Sequence, residues 1–309
     1  MGSLVKLAAC ALAVAAVVAG CGLESTAGTG GATIEVTHAF GSEPIATKVQ
    51  RSPPSGETVA GLLERSFQVR TASKGRVVES IQGASATPGG LRWSYWINGI
   101  APAKSIRSTG VNRGDRIWWD LHDAVATALI PAVVGSYPEP FTTGIGGRRF
   151  PTVLDCASDV QAACNTVARA LRRAGVKVAY QLLGGGSGSD SLAVVVGTLR
   201  DLRGLIATEL LAGGPSLSGV FAQIIGSGAN MLALDNPLGQ VVRTVGGGAG
   251  LIAATEQPGL NEPAWLITGT DVAGVSAAAG ALTPAKLHDH LALAIVHGDD
   301  LPLPLEPAR

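Results

Sequence analysis

The sequence predicts an α+β protein in two parts, an N-terminal β-grasp-like domain followed by an α/β layered domain with a mixed sheet. Three observations carry this. Residues 33–119 read as strand, strand, helix and then several short strands, an order suited to one helix packed on a mixed sheet. From residue 151 onwards, strand-like runs alternate with helical periodicity. Between them, Ser136-Tyr137-Pro138-Glu139-Pro140-Phe141 and Gly144-Ile145-Gly146-Gly147 punctuate the chain as a boundary loop. A length of 309 residues also suits about two domains. The boundaries that follow are 1–21 for an export signal and anchor, 22–31 for a tether, 32–123 for the first domain, 124–150 for a linker and 151–309 for the second domain.

The start of the chain predicts location. Lys6 precedes an apolar run over residues 7–19, too short for a comfortable membrane span. The run ends in Val18-Ala19-Gly20-Cys21, which resembles the lipobox of bacterial lipoproteins. The resemblance implies a chain lipidated at Cys21 and held on the extracytoplasmic face of the cell membrane. The Gly-, Ser- and Thr-rich residues after Cys21 suit a flexible tether. Lys plus Arg and Asp plus Glu are equal at 23 each, so no charge excess points to a nucleic-acid partner.

In the first domain, Thr33-Ile34-Glu35-Val36-Thr37 alternates as a half-buried strand, with residues 45–49 as its hairpin partner. Val59, Leu62, Leu63 and Phe67 share one helical face, and Ser55 is the expected N-cap. Two strands flank the Ser73-Lys74-Gly75 turn. Four of the five Trp then fall in Trp93-Ser94-Tyr95-Trp96-Ile97-Asn98-Gly99 and Gly114-Asp115-Arg116-Ile117-Trp118-Trp119. Alternation puts Trp93, Tyr95 and Ile97 on one sheet face and Trp96 on the other. One helix covers one face only, so the other is expected to meet the second domain, a ligand or solvent. Packing is the expectation for Trp93 and Trp118; Trp96, Tyr95 and Trp119 are divided between packing and ligand contact. Asn98-Gly99 and Asp115 read most simply as turn residues.

These four pieces, Thr58-Val59 with Leu62-Leu63, Gly75-Arg76-Val77-Val78-Glu79-Ser80-Ile81-Gln82-Gly83 and the two aromatic segments, keep the order and spacing of the family DUF4430, which they resemble. That family is similar to the C-terminal domain of transcobalamin and intrinsic factor. The resemblance implies a small β-rich domain on an exported protein, one that helps enclose a ligand in the vitamin B12 carriers. The whole arrangement resembles actinobacterial lipoproteins, a source that the excess of Arg over Lys and the abundance of Ala and Gly also suit.

In the second domain, helices are expected over residues 159–174, 200–211 and 272–282. The strand at 192–196 is continuously apolar, as a strand covered on both faces is, and 291–296 is expected to be the last strand. Gly175 is the expected helix stop and Asp271 or Thr270 a helix cap. Cys156 and Cys164 stand in an exported context, where a lone pair is more often a disulfide than a metal site; two buried free thiols are the alternative.

No Gly-x-Ser-x-Gly elbow or nucleophilic Cys pattern is present, and Gly246-Gly247-Gly248-Ala249-Gly250 lacks the dinucleotide fingerprint. His288-Asp289-His290 is expected to be a solvated helix end. No catalytic residue, cofactor or metal is therefore assigned. The expected function is non-enzymatic: a membrane-anchored lipoprotein binding a small ligand, a corrinoid among the candidates, for an uptake transporter. Expected ligand contacts are Trp96, Tyr95, Asn98, Trp119 and Tyr137, with the ligand between the domains. The alternative is an envelope module that binds protein or polymer. A hydrolase would need a buried acid–base pair that no motif announces.

Overall fold

A computed structural model describes residues 30–184, 190–226, 228–256 and 263–305. Cys21, most of the tether and the glycine-rich run at 185–189 lie outside the described residues. Among those described, no helix is long and apolar enough to cross a membrane.

The first part contains β1 (Ala32–His38), β2 (Glu43–Gln50), α1 (Val59–Ser66), β3 (Val69–Ala72), β4 (Val77–Ile81), β5 (Ala84–Ser85), β6 (Leu91–Ile97) and β7 (Arg116–Asp123). Its main sheet has the order β2-β1-β7-β6, and β3-β4-β5 form a second small sheet. β1 and β7 run parallel at the centre, while the outer pairs are antiparallel. The register sets Ile34 beside Ile117 and Val36 beside Trp119, so one face is apolar and meets Val59, Leu62 and Leu63 of α1. Thr58 caps that helix by accepting from Gly61 N–H at 3.2 Å, so the cap lies three residues beyond the expected Ser55. Thr58 combines an extended backbone with a hydroxyl in reach of the N3 amide of Gly61. Asn98 and Gly99 both take positive φ, at 54° and 80°, and close the turn after β6 between Ile97 and Ile100.

The second part contains β8 (Thr152–Cys156), α2 (Gln161–Arg173), β9 (Val178–Leu182), β10 (Leu192–Thr198), α3 (Ile206–Ala212), α4 (Pro215–Ser218), β11 (Ala222–Ile225), β12 (Met231–Asp235), β13 (Val241–Val245), β14 (Gly250–Glu256), β15 (Pro263–Gly269), α5 (Val272–Ala281), α6 (Pro284–Leu287), β16 (Ala292–Val296) and β17 (Asp299–Leu303). Seven strands form a mixed sheet in the order β17-β16-β14-β15-β10-β8-β9. Strands β9, β8, β10 and β15 are parallel; β14, β16 and β17 continue antiparallel. Leu192, Val194 and Val196 face α2 and α5, whereas Ala193 and Val195 face the opposite way. β10 is buried along its whole length, as its continuous apolar sequence requires.

Three local expectations change. The helix expected over 200–211 begins only at Ile206, because Asp201 turns back to accept from Thr198 N–H and Oγ1–H, at 2.9 and 2.6 Å. A further strand, β17, follows β16; its Pro302 is tolerated because β17 is an edge strand. Asp289 is buried rather than solvated. Asp271 caps α5, accepting from Gly274 N–H at 2.8 Å. Cys156 and Cys164 form a disulfide that ties the end of β8 to α2.

The face of the first sheet away from α1 packs on the seven-stranded sheet. Trp96, Trp118 and Phe40 join Ala193, Val195, Leu251, Ala253, Leu266 and Ala294 in one core. The connecting segment is part of this structure: Ile130, Val133 and Val134 are buried, and Tyr137 and Phe141 pack against Trp265.

Candidate functional site

The aromatic strands divide their rings between two environments. On the α1 side, Tyr95 stacks on Trp119 at 4.6 Å and 15°, and Trp93 meets Trp119 edge-on at 6.5 Å. These three rings, with Arg76, Val77, Val78, Ala86, Arg92 and Ile106, line a cavity of about 260 Å³. β4 supplies Val77 and Val78 to this cavity, while the apolar face of α1 packs with Ile34, Val36 and Ile117. Tyr95 is held by its hydroxyl donating to Lys104 O at 3.3 Å. Burial raises its pKa, opposed by the Thr109 hydrogen bond. The indole N–H groups of Trp93 and Trp119 are both buried without an acceptor among the described residues. An unsatisfied buried donor carries a desolvation cost of about 1–3 kcal/mol, and both N–H groups are closed to solvent and so to the cavity itself.

On the opposite side, Trp96 and Trp118 lie 4.9 Å apart and both are fully buried. Trp96 Nε1–H donates to Ile130 O at 2.8 Å, and Trp118 Nε1–H donates to Thr37 Oγ1 at 2.8 Å. The second part of the molecule therefore covers the face that α1 leaves open. Trp96, divided in expectation between packing and ligand contact, is core; Trp93 packs on Trp119 as expected but is only half-buried and also lines the cavity.

The other expected contacts separate in the same way. Tyr95 and Trp119 line the aromatic cavity. Asn98 is fully buried; its side-chain amide donates to Asp115 Oδ1 at 2.9 Å and Gly144 O at 2.8 Å, and its Oδ1 accepts from Arg116 N–H. Tyr137 sits in the core with Phe141 and Trp265, and burial pushes its hydroxyl up to about 12. Neither Asn98 nor Tyr137 lines any of the cavities described here, nor does Trp96. Asn98 needed both a left-handed turn residue and a side chain that ties the turn to the connecting segment, which the turn reading alone did not supply.

Two further cavities lie where the first part meets the connecting segment. One of about 370 Å³ is lined by Ile97, Ile100, Lys104, Asn112, Asp115 and Ile145 among others. The second, of about 410 Å³, lies between residues 101–103, residues 127–131 and Ser216-Leu217. Neither has an aromatic wall. In the first, burial raises the pKa of Asp115 against the hydrogen bonds from Asn112 and Asn98.

The contact between the two parts holds a polar cluster. Arg116 donates to Glu35 Oε2 at 2.8 Å and to Asp289 Oδ1 at 2.9 Å, and His288 Nδ1 lies 2.9 Å from Asp289 Oδ2. Burial and the charge of Glu35 push Asp289 up to about 7, with Arg116 opposing. Burial and Arg116 lower the pKa of His288, with Glu35 opposing. Glu35, His288 and Asp289 bring three ligand atoms within 4.8 Å of one another. Arg116 holds one oxygen of each carboxylate, Glu35 Oε2 and Asp289 Oδ1, so a cation at the remaining oxygens would lie against a guanidinium charge. The arrangement fits an ion-paired clasp better than a metal site. Sequence reading missed it because its members lie up to 254 positions apart, from Glu35 to Asp289.

Residues 56–123 match the family DUF4430, a domain of unknown function. The match covers α1 and β3 to β7 but leaves out β1 and β2 of the same sheet. No curated protein matches the chain. One solved structure, of a "putative metal binding protein" from Ruminococcus gnavus, aligns at 16% identity over 30% of this chain and 97% of its own, with a TM-score of 0.25. A likeness of that size carries no argument about fold or function.

Proposed function

We propose that this chain is an extracytoplasmic, lipid-anchored binding protein that holds a small planar anionic group in the cavity of Trp93, Tyr95 and Trp119. The observation that carries the reading is the pairing of three aromatic walls with a basic residue, Arg76, around about 260 Å³. Aromatic faces suit a planar ligand, and the cationic rim suits a carboxylate or phosphate. The volume takes one aromatic or nucleobase-sized group; a corrinoid would be held by a peripheral part, with its ring on the rim.

The anchor in this reading rests on Val18-Ala19-Gly20-Cys21. Delivery to an uptake transporter is its natural extension. The order β2-β1-β7-β6 with its central parallel pair supports a β-grasp reading of the first part, and the mixed seven-stranded sheet between helices and the first part supports a layered α/β reading of the second. The burial of Trp96 under the second part gives the binding reading no support; the place of Tyr95 and Trp119 in a cleft does. The test is titration of 2-naphthoate and of hydroxocobalamin into the mature chain, followed by calorimetry. Saturable binding of 2-naphthoate that Tyr95→Ala and Arg76→Ala both weaken about tenfold supports the site. No saturable heat with either compound, in a chain that melts cooperatively, returns the weight to the interaction-module reading.

A further inference from the structure

Ser94, His122 and Asp120 lie in line on the sheet face opposite the aromatic cavity. Ser94 is on the edge strand β6, and Asp120 is its register partner on β7. Asp120 is fully buried and is surrounded by donors. Oδ1 lies 2.6 Å from Thr37 Oγ1 and 2.9 Å from Gly41 N; Oδ2 lies 3.1 Å from Phe40 N and 2.8 Å from His122 Nδ1. Thr37 Oγ1 already accepts from Trp118 Nε1–H, so its own proton is free to go to Asp120. A carboxylate engaged in this way can only accept, which places the imidazole proton on Nδ1. Nε2 then presents its lone pair to Ser94 Oγ, 3.4 Å away.

The ring of His122 has little freedom. Phe40 stacks on it at 4.7 Å and Trp96 lies at 6.2 Å. It is 2% exposed, whereas Ser94 is half-buried, on the edge strand of the sheet. A purely structural serine at this position needs neither an oriented histidine nor a buried carboxylate behind it.

We propose that Ser94 is a nucleophile for acyl transfer, with His122 as its general base and Asp120 holding the imidazole. The substrate class is small, unhindered carboxylic esters that can approach from the open edge of β6. Ser94 Oγ attacks the carbonyl carbon and its proton passes to His122 Nε2. The ester C–O bond breaks, and the leaving alkoxide takes that proton as an alcohol. Water then attacks the acyl-serine, giving its proton to His122, and the carboxylic acid leaves as the proton returns to Ser94. A serine–histidine distance of 3.4 Å is of the kind that shortens when substrate binds. The site uses neither the aromatic cavity nor its arginines, so it stands or falls apart from the binding reading.

The test treats the full chain with a fluorophosphonate probe and locates the adduct by peptide mass spectrometry. Phosphonylation of Ser94 with loss of fluoride is expected. Ser94→Ala should abolish it at an unchanged melting temperature, and His122→Gln should slow it by about 100-fold or more. Hydrolysis of p-nitrophenyl acetate should fall in the same order. A folded wild-type chain that takes up no probe, or a Ser94→Ala variant labelled as fast as wild type, overturns the proposal. Because Ser94 is half-buried and carries one long hydrogen bond, its alanine variant keeps the test decisive even where His122→Gln does not fold.

Discussion

Arg116 of β7 reaches Asp289 across the contact between the two parts, at 2.9 Å, while also holding Glu35 at 2.8 Å. The clasp makes stability depend on pH with a definite sign. Asp289 is raised to about 7 in the folded chain, chiefly by burial and then by Glu35. The unfolded chain releases that proton near the ordinary aspartate value of about 3.9. Between those limits the folded state binds more protons, so the contribution of Asp289 to stability is full at low pH and is lost as pH rises towards about 7. Relative to wild type, Asp289→Asn is expected to gain stability across that window, read by urea unfolding at several pH values. A difference between the two proteins that stays flat with pH sinks this account of the clasp.

His288 works in the opposite sense. Burial and Arg116 lower its pKa, so the unfolded chain takes up a proton that the folded chain resists, and stability from this group is lost as pH falls below about 6.5. His288→Gln should therefore flatten the acid limb of the stability profile. An acid limb unchanged in that variant assigns the effect elsewhere.

Trp96 and Trp118 close the contact between the two parts. Replacing either with Ala should cost about 3–5 kcal/mol, because each is a fully buried ring and its departure also strands an acceptor, Ile130 O for Trp96 and Thr37 Oγ1 for Trp118. Trp93→Ala should cost roughly 1–2 kcal/mol, since its ring is half-buried. Denaturant melts that rank Trp93 with or above Trp96 would contradict the division of the two faces.

These tryptophans show what the sequence made legible. Period-two alternation correctly separates Trp93 and Tyr95 from Trp96, because strand geometry alone determines it. It does not say which face meets the second part, since that depends on contacts such as Trp96 with Ile130 and Val195, formed by chain far from β6. The disulfide was legible from the cysteine count and the exported context that the start of the chain predicts. The Ser94–His122–Asp120 line was not: the serine lies 28 positions from the histidine, and only the pairing of β6 with β7 brings them together. The clasp is hidden for the same reason. The shortening of the helix expected at residue 200 is a local competition between Thr198, Asp201 and the helix, too finely balanced for periodicity to decide.

The Cys156–Cys164 bridge spans eight sequence positions. Constraint of the unfolded chain by so short a loop is worth about 2–3 kcal/mol. Cys156→Ser with Cys164→Ser should lose that much, and a reducing agent should lower the wild-type midpoint by a like amount while leaving the double variant unmoved. Equal sensitivity of both proteins to reductant would contradict the bridge.

For the anchor, Cys21→Ser should leave the chain unlipidated and shift it out of the membrane fraction. A wild-type chain recovered free of lipid with an N-terminus other than Cys21 would contradict the lipobox reading.

The binding reading is tested most directly by fluorine NMR of the chain labelled with 5-fluorotryptophan. The five indoles, Trp93, Trp96, Trp118, Trp119 and Trp265, give five reporters, each assigned by single substitution with Phe. Titration with 2-naphthoate is expected to move the Trp93 and Trp119 resonances saturably and together, with Trp96, Trp118 and Trp265 unmoved. Saturable shifts at Trp96 or Trp118 with none at Trp93 and Trp119, or no shift at all up to the solubility of the ligand, would contradict it.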